Sequence, residues 1–491
     1  MMIRRNLLAV LAYCCLGCLL SCGGNDRLPD GKEIAASPDI YPDYKEVTFP
    51  VNVAPPNFRL ESPHEEAYAC FQTPSQELVV KERKGYFSIP EKGWKKLLAD
   101  AKGEIEVTIY AKDKEWVRYS AFRQYVSTDS IDSHLVYRLI EPGYEMWNNM
   151  GIYQRELSSY DQSPVMENRL TDQNCMNCHS FSAQDPDKMI FHMRGKNNGT
   201  YLIKGDKIEK LNTKTDHTMS TLVYPSWHPG GRYIAFSVNQ TNQSFHQTNR
   251  NRIEVYDSAS DVVVYDTENH EIVSSDLLMS KDRFENCPTF SSDGKRLYFC
   301  SAQAREMPKE FEQVRFDLCS ISFDPVTGTL GTEVDTLYKA SDYGKSVSWP
   351  RLSPDGRHLL LTIADYGYFM IWNKSADLYM LDLTTKELSP LTLANSQDVE
   401  SYHSWSSNGR WAVFSSRRDD GLYTRLYITH IDENGEASKA FMLPQEDPGY
   451  YHSLMKSYNV PEFVKGEVKD RMRELAIIAK DDPGIQLTFR E

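Results

Sequence analysis

Cys175, Cys178 and His179, in the stretch Asn174-Cys175-Met176-Asn177-Cys178-His179-Ser180-Phe181, are the residues whose types and spacing specify chemistry most directly. Two thiols three positions apart can add across the two vinyl groups of a porphyrin. An imidazole beside the second thiol can then become an axial ligand of the iron, the arrangement of c-type haem attachment. The expected cofactor is therefore covalent haem c, with His179 as the proximal ligand. Two other uses of the pair stay open. Half of a zinc site needs a second ligand pair, and no second Cys-x-x-Cys or His-x-x-x-His occurs in the chain. A redox dithiol of the thioredoxin kind needs a strand-to-helix context, and Ser180-Phe181-Ser182 does not open a helix.

For the iron's second side the expected ligand is His246, in the long polar stretch from Asn239 to Arg252. A solvated loop histidine is its ordinary reading. His403, His192 and Met193 are further options. Met146, Met150 and Met166 precede the motif, and core packing is the ordinary use of each. His228 reads as a surface residue. Asp257 and Asp261 resemble a turn before the strand Val262-Val263-Val264-Tyr265, and two carboxylates alone make a poor cation site. The sequence contains no Gly-rich phosphate loop, no Gly-x-Ser-x-Gly elbow and no His-Glu-x-x-His, so a hydrolase reading has no anchor residue.

The elements that must position these groups are strands. Tyr224-Pro225-Ser226-Trp227-His228-Pro229-Gly230-Gly231-Arg232 returns as Cys287-Pro288-Thr289-Phe290-Ser291-Ser292-Asp293-Gly294-Lys295. It returns again from Trp349 to Arg357 and from Tyr402 to Arg410. Each copy reads as a strand, a tight glycine turn and a second strand, at intervals of about 60 residues, as in the blades of a β-propeller. Cys178-His179-Ser180-Phe181 aligns with the start of each copy, so the thiol motif should begin an innermost blade strand. The Ser-Pro-Asp-Gly-Arg turn after Trp349-Pro350-Arg351-Leu352 resembles the TolB-type propeller repeat, over about Cys175 to Leu443. The expected fold is all-β: a TolB-like propeller of five recognisable blades with room for a sixth, a small β-sandwich-like domain before it and a short C-terminal helix.

The expected domains are a lipoprotein signal at 1–21, a tether at 22–63 and the β-sandwich-like domain at 64–141. A connecting segment at 142–173, able to form part of a blade, precedes the propeller at 174–449, and a loop and helix follow at 450–491. Arg4 and Arg5, an apolar run from Leu7 to Leu20 and then Ser21-Cys22-Gly23 resemble a bacterial lipoprotein signal, which implies lipidation of Cys22. The apolar run is too short for an ordinary spanning helix. That places the chain in the cell envelope, periplasmic or outer-membrane facing, where Cys70, Cys287, Cys300 and Cys319 could pair or stay free. A net charge of −14 argues against nucleic acid as a partner.

The whole resembles TolB-like propeller lipoproteins with a haem-attachment motif, labelled as cytochrome c-related or cytochrome c biosynthesis proteins. The resemblance implies a redox or electron-transfer role, or a haem-dependent role with an envelope protein partner. The alternative is a non-enzymatic platform for a protein, peptide or glycan, with Cys175 and Cys178 as a structural or redox pair.

Overall fold

The computed structural model of the protein describes residues 28–142 and 149–490. Six four-stranded antiparallel units follow one another around a ring and make a six-bladed propeller. Five are consecutive in sequence. Their innermost strands are Cys175–Phe181, Leu222–Trp227, Arg283–Phe290, Ser346–Leu352 and Glu400–Trp405.

The repeated Ser-x-Asp-Gly signature has a local cause. In the fifth blade Asp355 Oδ1 accepts from the Arg357 amide at 3.0 Å, while Ser353 Oγ accepts from the His358 amide at 2.9 Å. The fourth blade repeats this with Asp293 and Ser291, and the sixth with Asn408 and Ser406. The turn then passes through Gly231, Gly294, Gly356 and Gly409, with φ between 69° and 77°. Only glycine takes that conformation without steric cost. At Gly294 the demand is doubled, because a Cβ there would lie 2.1 Å from Nε2 of His228 in the neighbouring blade. Gly294→Ala is expected to cost about 2–4 kcal/mol of unfolding free energy. Gly367→Ala, at φ 73° with open space around it, should lose only the backbone part. Equal losses for the two in denaturant titrations would show that the inter-blade contact is unimportant.

The remaining blade joins the two ends of the propeller. Its outer three strands are His134–Ile140, Gly151–Glu156 and Gln162–Glu167, and its innermost strand is Ser457–Val464, antiparallel to His134–Ile140 with Leu135 opposite Phe463. The structure therefore differs from the reading of residues 450–463 as a loop. The blade also draws strands from segments assigned to the N-terminal domain and the connecting segment. Val460-Pro461-Glu462-Phe463 is a further copy of the strand-start pattern, without the turn that made the others recognisable.

Beyond the closing strand, helix Met472–Asp481 buries Leu475 and Ala479. Two short strands follow, Ile485–Gln486 and Thr488–Phe489, each laid parallel to the outer edge of one of the next two blades. Ahead of the propeller, the N-terminal domain is a seven-stranded sheet around Glu66–Gln72 and Glu104–Lys112, with helix Glu91–Asp100 burying Trp94, Leu97 and Leu98. Its core is continuous with that of the sixth blade. Phe49 meets Trp94 at 5.7 Å and Phe441 of that blade at 4.8 Å between ring centroids.

Candidate functional site

In a regular strand, residues three apart face opposite sides, which would separate Cys175 from Cys178. The strand is not regular. Its register against Lys188–Arg194 shifts between Asn177 and Ser180, and Cys178 sits at φ 54°. This is a β-bulge, which re-aims the side chains that follow it. Both cysteines consequently line one cavity of about 240 Å³.

The bulge belongs to every blade. Tyr224, Cys287, Trp349, Tyr402 and Val460 hold the same place in their strands, with φ between 49° and 55°. A left-handed non-glycine residue costs about 1–3 kcal/mol, so six copies are retained against considerable strain. These residues form the waist of the channel. Trp349 meets Tyr224 at 5.5 Å and Tyr402 at 4.8 Å, both edge-on. Cys178, Tyr224, Tyr402 and Val460 line both the thiol cavity and a second cavity beyond the waist.

The thiol cavity brings together groups that sequence reasoning missed. Arg194 lies directly across the ladder from Cys175, a pairing the blade alignment could have supplied. Arg138 donates through Nη1 to the Met176 carbonyl at 3.2 Å, and Arg417 lies 3.4 Å from the centroid of the Trp372 ring. All three arginines line the cavity, with Glu141 the one acidic residue among its described lining. This cationic lining stands out in a chain of net charge −14.

His179 is 2% exposed and lies on the other side of the waist, lining the second cavity and not that of the thiols. Its ring nitrogens make no hydrogen bond of good geometry, but the Val136 and Val460 carbonyls lie within reach of them. Burial pushes its pKa down to about 3, so the ring is neutral. His403 occupies the equivalent place in the sixth blade. There Nε2 contacts the Leu360 carbonyl at 2.9 Å and Nδ1 contacts Thr362 Oγ1 at 3.3 Å.

His246 also fails to line the thiol cavity. Half of the segment from Asn239 to Arg252 is strand, since Tyr233–Phe245 and Ile253–Asp266 form one long hairpin. His246 is at its tip, stacked on Phe311 at 5.8 Å. His192 is buried between the Thr200 and Thr221 hydroxyls, and Met193, Met150 and Met166 are core residues. Met150 Sδ accepts from the Met176 amide at 3.2 Å. His228 is buried rather than at the surface, with Nε2 3.1 Å from the Gly294 carbonyl. Asp257 and Asp261 lie inside a strand, not in a turn. Asp257 is held by Asn286, Thr241 and Tyr368.

Cys70, Cys287, Cys300 and Cys319 are free thiols, all buried. Among the described residues no group of three or more His, Cys, Asp or Glu is placed to hold a metal ion, and no helix is long and apolar enough to cross a membrane. Cys22, the signal segment and Met146 lie outside the described residues.

No known family model matches the chain, and no curated protein does. Solved structures resemble it only at low identity and low TM-score. TolB from Acinetobacter baumannii is 13% identical, over 76% of this chain and 85% of that one, with a TM-score of 0.42. The periplasmic gluconolactonase PpgL of Pseudomonas aeruginosa is 14% identical, over 67% and 99%, with a TM-score of 0.37. Likenesses this weak carry no argument. The assignment as a propeller rests on the sheet topology described above.

Proposed function

We propose that the protein is an extracytoplasmic lipoprotein, anchored through Cys22, that carries one covalent haem on Cys175 and Cys178 in the mouth of the propeller channel, for electron transfer or a haem-dependent role with an envelope partner. The observation that carries this reading is the bulge at Cys178, which turns both thiols of a haem-attachment sequence onto one cavity.

The donor set fits the group in two respects. The thiols share a wall, and His179, next to Cys178 in sequence, is buried and neutral. Cys175 and Cys178 would hold the group through thioether bonds, and Arg138, Arg194 and Arg417 offer positive charge to its carboxylates. When bound, haem would supply a one-electron couple. His179 is neutral at physiological pH and so has a free lone pair, but reaching iron in the thiol cavity requires its ring to pass the waist at Cys178. His246, at the hairpin tip, has no comparable approach.

One observation favours the other reading, a binding platform whose cysteines are structural. Cys287 repeats Cys178 at the bulge of the fourth blade, and His403 repeats His179 in the sixth, so two of the three motif residues also occur where no haem sequence exists. Intact mass and absorbance separate the two readings. Exported from a host that matures c-type cytochromes, the chain is expected to retain one haem after denaturation and to carry lipid on Cys22, with Cys178→Ala losing stable attachment. An unmodified mass, in a host where a control cytochrome matures, would remove haem and leave the platform.

A further inference from the structure

Two residues past each bulge, every inner strand turns one side chain toward the channel on the far side of the waist. In blade order these are Glu462, Ser180, Ser226, Thr289, Arg351 and Ser404. Ser226 Oγ donates to Thr289 Oγ1 at 3.3 Å between neighbouring blades, which sets them at one level. All but Thr289 line the second cavity, of about 160 Å³. Four of the six are small hydroxyls, as a repeated position facing a narrow channel would favour. The other two are opposite charges.

Those two feel each other's charge but make no direct contact. Among the described residues neither forms an ion pair; Arg351 donates through Nη1 to the Pro350 carbonyl at 3.0 Å and lies over the Trp349 ring at 4.5 Å. Glu462 Oε1 accepts from the Phe181 amide at 2.9 Å. Ser404 falls between them in blade order, with its Oγ buried and unpartnered. Trp227 and Trp405 form walls, fixed by indole hydrogen bonds to the Ser180 and Arg351 carbonyls at 3.3 and 3.0 Å. A buried acid and a buried base held apart on separate strands leave a site that a ligand carrying both charges would complete.

We propose that this cavity binds a small zwitterion of the α-amino-acid class, its carboxylate on Arg351 and Ser404, its ammonium on Glu462 and its side chain against the tryptophans. The volume excludes a long peptide. The two charged contacts are fixed on separate strands before the ligand arrives, so recognition requires both ends of the ligand at once. Burial pushes the Glu462 carboxyl up to about 8, only partly offset by the Phe181 amide and Arg351, so the empty site holds it largely protonated and an arriving ammonium would favour its ionised form. The site shares the waist residues Cys178, Tyr224, Tyr402 and Val460 with the thiol cavity, but its recognition groups are others and do not rest on haem.

The test is calorimetric titration of the full exported chain with glycine, L-alanine, L-leucine and L-alanyl-L-alanine, each compared with its N-acetylated and C-amidated forms. At least one free zwitterion is expected to bind, and blocking either end should weaken it by roughly tenfold or more. Arg351→Gln and Glu462→Gln should each weaken the native ligand by roughly as much, the glutamine at 462 keeping an acceptor for the Phe181 amide. Absence of saturable heat up to about 10 mM for every zwitterion overturns the proposal. So does equal binding of the blocked forms. If a variant fails to fold, the ligand series on the native chain decides.

Discussion

Truncation after Asp447 is expected to abolish the cooperative unfolding of the propeller. The cut removes Ser457–Val464 and leaves His134–Ile140 as an unpaired edge, so that Leu135, Val136 and Tyr137, each fully buried in the intact chain, face water. It also removes Tyr458, Phe463 and Val464, all 1% exposed or less. Burial of a large apolar side chain contributes about 1.5–3 kcal/mol, so six such residues, at about 9–18 kcal/mol, are comparable with the whole stability of an ordinary domain of about 5–15 kcal/mol. A milder form of the experiment is Phe463→Ala, with an expected cost of about 3–5 kcal/mol. Cutting after Val464 instead spares the ring and should leave one transition. If the shorter chain still melts in a single transition at the native midpoint, ring closure does not hold the fold together.

Acid should unfold the protein through its buried histidines. His179, His192 and His403 are each held neutral by burial, with pKa values near 3. In the unfolded chain they titrate near 6.5. Between those limits the unfolded state binds more protons, so stability is present above about pH 6.5 and lost as pH falls toward 3. At pH 5 each histidine costs about 2 kcal/mol. Glu285 and Glu462 act in the opposite sense, since burial raises both to about 8 and stability falls as pH rises toward that value. Above 6.5 the carboxyls act alone, in the middle range the two sets oppose, and below about pH 4 the histidines dominate. Denaturant titrations across pH should show His403→Gln and His192→Gln each reducing the acid-limb slope by about 1.4 kcal/mol per pH unit. An unchanged slope in both would mean these rings are not buried neutral.

The parts of this structure that could be read from the sequence are those in which local chemistry repeats. Each Ser-x-Asp-Gly turn organises its own hairpin through bonds a few residues long, so the copies around Gly294, Gly356 and Gly409 look alike whatever packs beside them. Alignment of Cys178 with Tyr224, Cys287 and Tyr402 reflects a shared bulge and correctly placed the motif on an inner strand. The first blade was illegible because its inner strand and its second strand are separated by more than 300 residues and have no turn between them. The strand before His246 was illegible for a different reason. Asn239 to Phe245 is a strand whose outer part is solvated, so it lacks the apolar alternation that marks a half-buried one. Strand alternation also says nothing of a bulge, and without the bulge the two thiols would not share a cavity.

Closure of the ring by Ser457–Val464 also has a consequence in time. His134–Ile140 is made more than 300 residues before its inner partner. Until that strand docks the first blade has an open edge, and the inner faces of the second to sixth blades border a gap rather than a channel. Long-range pairing of this kind is slow to form compared with the hairpins of the individual blades. The waist is therefore completed by Val460 only when the closing strand docks, after the other five blades have their hairpins.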